Sequence, residues 1–465
     1  MGMNNFISYF VSVVLTVVAS SFLGLTLKQI MVVAGFSSIL FGAIFFWRYR
    51  LAFAFFGVGA LLTMGLIDVP HVIEFAGVDI ILFLIGMMIV VGFLEENEFF
   101  EHLVDRLIVL VDMNGRMLLI VILVASFVFA ALVDEVTSVL FMISAMLNIV
   151  SRYKLNPIPF IMMVVFTTNI GSSATVVGNP VGVMIALRSG LGFLDFLRWA
   201  TPISIIALLV TIPICFLYFS KAINQLHQAM RSTKSVKVIK EILAEDTSTR
   251  KGILVSAILF SGVVLGLIFH SQIEHLFGLT KNTMLLGVAL IGAAAALLLS
   301  RGNARALVEK RVDWWTLCFF LFLFASVGAL KYQGITEVIA RRILEVSANN
   351  LPVLMALCMW ISGAMTAVMD NVLAVATFIP IIKDMGDMGV PIFPLWWSVL
   401  FGSTLLGNLT IIGSTANIVA VGMLERRKLG AIGFLEWLKA GVLVAIPTLL
   451  IAHLLLFLQL KWMIR

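Results

Sequence analysis

Long apolar stretches alternate with short polar connectors along almost the whole chain. The apolar runs are about 15 to 20 residues long, which is the length that a helix needs to cross a membrane. The 465 residues, at roughly 20 per span, leave room for about ten to thirteen membrane-embedded segments. The pattern therefore predicts an all-α polytopic membrane protein with no large soluble domain.

Two segments of this pattern carry the same polar interruptions. Residues 168–199 and 403–438 each contain a Thr-aliphatic-aliphatic-Gly sequence, at 175–178 and 410–413, followed by Gly-Phe-Leu and an acidic residue. Duplicated polar breaks inside apolar spans are typical of the binding site of a secondary transporter.

Further matched positions indicate that the duplication covers most of the chain. Val78-Asp79 corresponds to Val312-Asp313, and Asp134 corresponds to Asp370. We predict N-terminal membrane helices in 1–77, a first inverted repeat in 78–220, a cytoplasmic loop in 221–251, connecting helices in 252–311 and a second inverted repeat in 312–465.

Basic residues set the orientation of the repeats. The connector 221–251 carries seven Lys and Arg residues, so the bias of basic loops toward the cytoplasm places it inside. Arg48 and Arg50 mark another cytoplasmic turn. Counting spans from these points, the first repeat begins outside and the second begins inside, which predicts that the two are inverted.

Each repeat contains a stretch that fits a re-entrant hairpin better than two full spans. The stretches are 116–152, with Asp134-Glu135 at its tip, and 352–383, with Asp370-Asn371 at its tip. Irregular backbone at membrane depth is tolerated where it faces protein or a wet cavity. An interfacial amphipathic helix is predicted before each hairpin, at 98–110 and 335–346.

Three carboxylates in these tips need an explanation. An ionised carboxylate at the centre of a membrane helix costs about 2.5 to 3.5 kcal/mol on insertion scales. Asp134, Glu135 and Asp370 are therefore candidates for coupling to a proton or Na⁺, with Na⁺ considered at Asp134 and Asp370. The alternative is a capping role, since Asp is a good N-cap for the helix that follows. The two roles are compatible.

Small and polar residues at the broken helices are candidates for binding the substrate. Glycines let the backbone unwind, and half-helix N-termini attract anions while free carbonyls attract cations. The alternative is close helix packing through small residues. The predicted substrate-binding residues are Asn169, Ser172, Ser173, Thr175, Asn179, Asn371, Asn408, Thr410, Ser414, Thr415 and Asn417, and the predicted helix breaks are Gly171, Gly178 and Gly413.

Composition excludes several classes of protein. Apolar residues make up 61% of the chain and charged residues 12%, with a mean hydropathy of +1.12. The net charge of +6 records cytoplasmic loops rather than a nucleic-acid partner. The three cysteines are dispersed, and no nucleophile, nucleotide loop or His-rich motif occurs, so we predict no enzyme activity, no cofactor and no metal centre. Trp396 and Trp397 are predicted as anchors at a membrane edge, and no cleaved signal peptide is expected.

At its polar motifs the chain resembles the ion transporter superfamily. The resemblance is to the branch with a citrate-transporter-like domain, which includes arsenite permeases (ArsB), NhaD-type sodium/proton antiporters and the P protein. The resemblance lies in 131–142, 166–185, 368–380 and 402–422. It implies an all-helical scaffold with a moving transport unit, to which each repeat contributes a hairpin tip and a broken helix.

Two functions remain open from the sequence. The first is a secondary active transporter that moves a small inorganic or organic anion, arsenite-like or carboxylate-like, coupled to H⁺ or Na⁺ by alternating access. The alternative is a Na⁺/H⁺ antiporter without an anion substrate. The expected partners are the ion or small-molecule substrate and the lipid bilayer. Whether a second copy forms a homodimer is left open. The expected location is the cytoplasmic membrane of a prokaryote.

Overall fold

Helices form most of the described chain. The computed structural model describes residues 3–109, 114–232, 250–300 and 302–464, and these contain no β-strand. The helices are α1 (Met3–Phe22), α2 (Leu27–Phe45), α3 (Arg50–Thr63), α4 (Val69–Phe75), α5 (Val78–Glu96), α6 (Phe99–Val109), α7 (Gly115–Leu132), α8 (Glu135–Arg152), α9 (Ile158–Ser172), α10 (Pro180–Ser189), α11 (Phe193–Tyr218), α12 (Ser220–Ser232), α13 (Arg250–Ile268), α14 (His270–Phe277), α15 (Thr283–Leu299), α16 (Ala304–Arg311), α17 (Trp314–Tyr332), α18 (Ile335–Ser347), α19 (Leu351–Val368), α20 (Asn371–Asp387), α21 (Phe393–Leu405), α22 (Thr415–Arg426) and α23 (Phe434–Met463).

Many of these helices are suited to a bilayer. Over the described ranges, nine are long and apolar enough to cross a membrane, and α13 with α14 forms a tenth candidate that is bent by 61°. Three further apolar helices, α9, α10 and α15, are shorter. The chain is therefore an all-α, multi-pass integral membrane protein.

The element order from α5 to α11 recurs from α17 to α23. Each series has a long helix, a short amphipathic helix, two helices that form a hairpin, a broken helix and a long final helix. The short helices α6 and α18 lie where interfacial helices are predicted. The hairpins are α7 with α8 and α19 with α20, so their arms extend slightly beyond the predicted 116–152 and 352–383.

The two broken helices run in opposite directions. Trp199, which follows α10, packs edge-on against Phe393 at the start of α21, with ring centroids 5.9 Å apart. Gly430, which follows α22, faces Ile158 at the start of α9, so that a Cβ atom on the glycine would lie 3.4 Å from Ile158 Cδ1. Each broken helix begins where the other ends, as inverted repeats require.

Helices that precede one repeat pack on the first helix of the other. Phe55 of α3 contacts Phe322 of α17, with ring centroids 4.6 Å apart. Gly86 of α5 lies so close to α15 that a Cβ atom would be 2.9 Å from the Ala289 carbonyl oxygen. We call α3, α5, α15 and α17 the scaffold, and α7–α10 with α19–α22 the transport unit.

The predicted cytoplasmic loop 221–251 begins as a helix. Helix α12 extends to Ser232 because it is amphipathic, with Ile223, Leu226 and Met230 buried on one face. At the other end α13 starts at Arg250. Residues 233–249 lie outside the described residues.

The prediction that Trp396 and Trp397 are membrane-edge anchors is wrong. Their side chains are 2% and 0% exposed, and the ring of Trp397 packs against Phe196 with centroids 5.0 Å apart. Helix α21 lies inside the transport unit and is buried from Pro394 to Leu405, so its aromatic residues form core contacts.

Candidate functional site

Both hairpin tips end in an aspartate that caps the next helix. Asp134 Oδ1 accepts the Thr137 N–H at 2.8 Å, and Asp370 Oδ1 accepts the Val372 N–H at 2.9 Å. The capping role expected as the alternative is therefore present at both tips. It leaves the residue after each aspartate, Glu135 and Asn371, at the first position of a helix.

The broken helix of the first repeat is shaped by two glycines and a proline. A Cβ atom on Gly171 would overlap the backbone of Phe127, and one on Gly178 would overlap the backbone of Ser172. Pro180 then starts α10, and Asn179 caps it by accepting the Gly182 N–H at 2.8 Å. Close packing and a new helix start thus explain why the chain breaks here.

The broken helix of the second repeat is shaped in the same way. Helix α21 tightens into a 3₁₀ turn over Leu406–Asn408. A Cβ atom on Gly413 would lie 2.6 Å from the Gly407 carbonyl oxygen. Ser414 caps α22 by accepting the Ala416 N–H at 3.1 Å. The three predicted helix-break glycines therefore all lie where the backbone approaches itself or α7.

Thr175 and Thr410 bind equivalent backbone groups. The Thr175 hydroxyl donates to the Ala131 carbonyl, and the Thr410 hydroxyl donates to the Ala367 carbonyl at 2.7 Å. Each bond ties the break of a broken helix to the end of the first hairpin arm. In this structure both hydroxyls hold the site together rather than facing its centre.

Replacing Thr175 by valine is expected to lower the free energy of unfolding by about 1 kcal/mol, because one buried hydrogen bond is lost. Thr175→Ser keeps the hydroxyl and serves as the matched control. Thermal unfolding of the purified protein in detergent measures the difference. Equal stability of Thr175→Val and the wild type would contradict this role.

Glu135 lies at the junction of the two repeats. Its side chain is 2% exposed. Ser172 Oγ donates to Oε2 at 3.1 Å, while Asn371 Nδ2 and Ser414 Oγ lie 3.5 Å and 3.3 Å from Oε1. Groups from a broken helix of each repeat and from the opposite hairpin thus converge on one carboxylate.

Asparagine side chains extend the hydrogen-bond network around Glu135. Asn169 Nδ2 donates to Asn408 Oδ1 at 2.7 Å and to Asn417 Oδ1 at 2.8 Å, and its Oδ1 lies 3.2 Å from Ser414 Oγ. Asn179 Nδ2 donates to Ser172 Oγ at 2.9 Å. We call this group the central cluster; it comprises Glu135, Asn169, Ser172, Asn179, Asn371, Asn408, Ser414 and Asn417.

The remaining predicted residues lie around or outside the central cluster. Thr415 donates its hydroxyl to Asp370 Oδ2, which forms a neighbouring pair at the second tip. Ser173 turns away and lies 2.9 Å from Ser204 Oγ on α11. Within the described residues, the hydrogen bonds of Asp134 come from Val136 and Thr137, which follow it in the chain. Tertiary packing thus separates residues that the sequence groups together.

Four helices begin at the central cluster. Glu135 and Asn371 are the first residues of α8 and α20, and Asn179 and Ser414 directly precede α10 and α22. Helix N-termini carry partial positive charge and favour negative groups. No Lys or Arg donates a hydrogen bond to the cluster within the described ranges. Helix dipoles and amide N–H groups therefore supply the positive potential in direct contact with the cluster.

Oxygen ligands are available for a small cation. Asn371 Oδ1 is buried without a hydrogen-bond partner, next to the Glu135 carboxylate, and carboxylate and amide oxygens suit hard cations. Within the described residues, no three or more His, Cys, Asp or Glu side chains are grouped so that they could hold a metal ion. A Na⁺ ion would therefore depend on amides and hydroxyls beside Glu135.

Arg50, which the sequence indicates only as a marker of a cytoplasmic turn, is a further buried polar residue near the second hairpin tip. The side chain is 5% exposed; Nη2 donates to Thr316 Oγ1 at 2.6 Å, and the guanidinium lies 4.0 Å from the centroid of Trp47. The carboxylates of Asp370 and Asp313 are near enough to attract its positive charge. No local signal distinguishes such a buried arginine from one in a loop, because both lie between apolar runs.

Two cavities flank the transport unit. One of about 210 Å³ is lined by Trp47, Asp370 and apolar side chains. Another of about 470 Å³ lies between scaffold and transport unit and is lined by Asp79, Arg188 and Lys383 among others. The smaller cavity leads to the second hairpin tip, and the larger one includes none of the predicted site residues.

Comparisons with known proteins agree on a transporter. A family model described as a citrate transporter matches residues 39–402. An uncharacterized transporter of Mycobacterium tuberculosis is 31% identical over 388 residues, which cover 82% of this chain and 86% of that protein. The human P protein is 24% identical over 440 residues, covering 80% of this chain and 52% of the P protein. The solved structure of the YdaH transporter of Alcanivorax borkumensis has the same fold, with a TM-score of 0.57, 15% identity and coverage of 87% of this chain and 89% of that one.

Proposed function

Because the chain belongs to the citrate transporter family, we propose that this membrane transporter moves a small inorganic or organic anion, arsenite-like or carboxylate-like, by secondary active transport and alternating access, coupled to H⁺ or Na⁺. The observation that carries the proposal is the burial of Glu135 between the two repeats, with hydroxyl and amide groups of both repeats around it. We propose no enzymatic reaction.

Charge explains why the anion and the cation are coupled. Two like charges about 4 Å apart repel by about 4 kcal/mol at an effective dielectric constant near 20. An anion at the four helix N-termini would meet this repulsion from an ionised Glu135. A proton or a Na⁺ ion on Glu135 removes it, so the anion binds well only to the neutralised site. The coupling ion therefore controls the affinity for the anion.

A Na⁺/H⁺ antiporter is the second candidate. It is favoured by the unpartnered oxygen of Asn371 beside Glu135 and by the lack of a basic side chain bonded to the cluster within the described ranges. In that function Na⁺ and H⁺ would compete for Glu135, and the helix N-termini would only hold the carboxylate in place.

Transport in proteoliposomes separates the two functions. We expect radiolabelled citrate, arsenite or phosphate to accumulate only under an imposed proton or sodium gradient, and collapse of that gradient by an ionophore to stop uptake. Empty liposomes give the background. Sodium-driven proton movement without any added anion, together with no gradient-dependent uptake of an anion, would replace the anion transporter by the antiporter.

The proposal extends to location and assembly. We place the protein in the cytoplasmic membrane of a prokaryote, supported by apolar spans and mycobacterial relatives. A homodimer stays a prediction, and cross-linking in native membranes tests it.

A further inference from the structure

An ion pair joins the scaffold to the transport unit on the predicted outer side. Arg188, in the last turn of α10, donates from Nη1 to Asp79 Oδ2 at 2.6 Å and from Nη2 to Asp79 Oδ1 at 2.8 Å. Asp79 lies in the first turn of α5. This two-bond geometry is typical of a strong arginine–carboxylate pair, and movement of the transport unit along the scaffold would break it.

The second repeat carries the same two charges on equivalent elements. Asp313 corresponds to Asp79 and directly precedes α17. Arg426 lies in the last turn of α22, as Arg188 does in α10. Helix α22 is longer, and Arg426 lies about one turn beyond Met423, which matches Arg188 at the offset of 235 residues between Thr175 and Thr410. The repeats are inverted, so the second set of charges lies on the predicted cytoplasmic side.

The second pair is not formed in this structure. Asp313 accepts the Thr316 N–H at 3.1 Å and the Thr316 hydroxyl at 2.5 Å. Arg426 is exposed, and it makes no salt bridge to any other residue of the described chain. The two repeats therefore differ in the contact between scaffold and transport unit.

We propose that Asp313 and Arg426 form, in the opposite-facing state, the ion pair that Asp79 and Arg188 form here. Inverted repeats are related by an axis in the membrane plane, so the two facing states follow when the repeats exchange conformations. The inference rests on the alternating access proposed above. It makes Asp313 and Arg426 positioning residues, which stabilise one end point of the cycle as Asp79 and Arg188 stabilise the other.

A neighbouring contact provides a comparison. Lys331 of α17 lies 3.7 Å from Asp384 of α20 on the same outer side. At the equivalent positions, 236 residues earlier, the first repeat has Glu95 and Asn148. Arg152 lies one turn beyond Asn148, in the last turn of α8. The first repeat therefore also carries opposite charges on these two elements, but Glu95 pairs with Arg311 in this structure.

Cross-linking in membranes tests the proposal. Two double-cysteine variants are treated with a short bifunctional maleimide: Asp313→Cys with Arg426→Cys, and Asp79→Cys with Arg188→Cys. Both are made in a Cys318→Ser background, since Cys215 and Cys358 are buried. Mass spectrometry of linked peptides is the readout. We expect both pairs to link, and the mispaired Asp79→Cys with Arg426→Cys to remain unlinked. A yield for the 313/426 pair no higher than that of the mispaired control would overturn the inference.

A second variant avoids the loss of the Asp313 cap. Arg426→Glu places a like charge opposite Asp313, so it should disfavour the opposite-facing state and raise the initial cross-linking rate of the 79/188 pair about two- to fivefold. Arg427→Glu, at the next residue, is the matched control. Equal effects of the two substitutions would contradict the pairing. Neither readout requires a substrate, so a failure to detect anion transport leaves this test unaffected.

Discussion

Replacing Glu135 by glutamine is expected to abolish ion-coupled transport while the protein still folds. Glutamine has the same shape, and the hydroxyls of Ser172 and Ser414, which now lie 3.1 Å and 3.3 Å from the carboxylate, can turn to accept from its amide. The substitution removes the charge that a proton or Na⁺ neutralises. Since that charge is worth about 4 kcal/mol to a neighbouring anion, we expect gradient-driven accumulation to fall by about a hundredfold or more.

Proteoliposome uptake with and without an imposed gradient measures the effect, and size-exclusion chromatography with thermal unfolding checks the fold. Asp134→Asn, at the adjacent residue, is the matched comparison. Asparagine keeps the cap on the Thr137 N–H, and Asp134 makes no hydrogen bond to the central cluster among the described residues. We expect near-normal transport from this variant. Normal coupling in Glu135→Gln, or an equal loss in both variants, would remove Glu135 from its assigned role.

Gly171→Ala is expected to destabilise the transport unit and to impair transport. The new methyl group would overlap the backbone of Phe127 on α7, and helix backbones cannot yield as a flexible side chain can. Overpacking of this kind costs about 1 to 3 kcal/mol or more. Separation of α9 from α7 would also move Asn169 and Ser172, which lie on the same turn as the glycine.

Gly422→Ala provides the control for this substitution. Gly422 lies inside α22 with open space where a Cβ atom would be placed, so alanine should be neutral or should stabilise the helix by up to about 1 kcal/mol. Thermal unfolding in detergent and uptake in proteoliposomes are measured for both variants. If Gly171→Ala unfolds at the same temperature as Gly422→Ala, the close approach of α7 and α9 does not limit stability.

The architecture could be predicted from the sequence because the features that produce its helices and breaks act on nearby residues. Apolar runs of membrane length give spanning helices, and aspartates at 134 and 370 interrupt them and cap the next helix. Glycines and the Asn179-Pro180 step end α9 and start α10. The resemblance to the ion transporter superfamily is confirmed by the family match over 39–402. The connector predicted at 221–251 begins with the amphipathic helix α12, and its polar composition alone does not distinguish such a helix from a loop.

Roles at the site were less predictable, because neighbours in sequence point in different directions. Asp134 and Glu135 are adjacent, yet only Glu135 reaches across to the second repeat. Ser172 contacts Glu135, whereas Ser173 contacts Ser204 on α11. On a helix or a tight turn, successive side chains differ by about 100° in direction, so packing of the whole unit decides which of two similar residues faces the centre.

The sequence by itself determined an all-helical membrane protein, its duplication, its hairpin tips and its broken helices, since hydropathy, capping residues and glycines act within a few residues of their own position. Only the tertiary structure decided that Glu135 is the carboxylate shared by both repeats, that the hydroxyls of Thr175 and Thr410 hold the backbone, and that Arg50 is buried near the second tip. Those outcomes depend on interactions between residues that are 43 to 320 positions apart in the chain, and no local pattern specifies which of the available polar groups will meet.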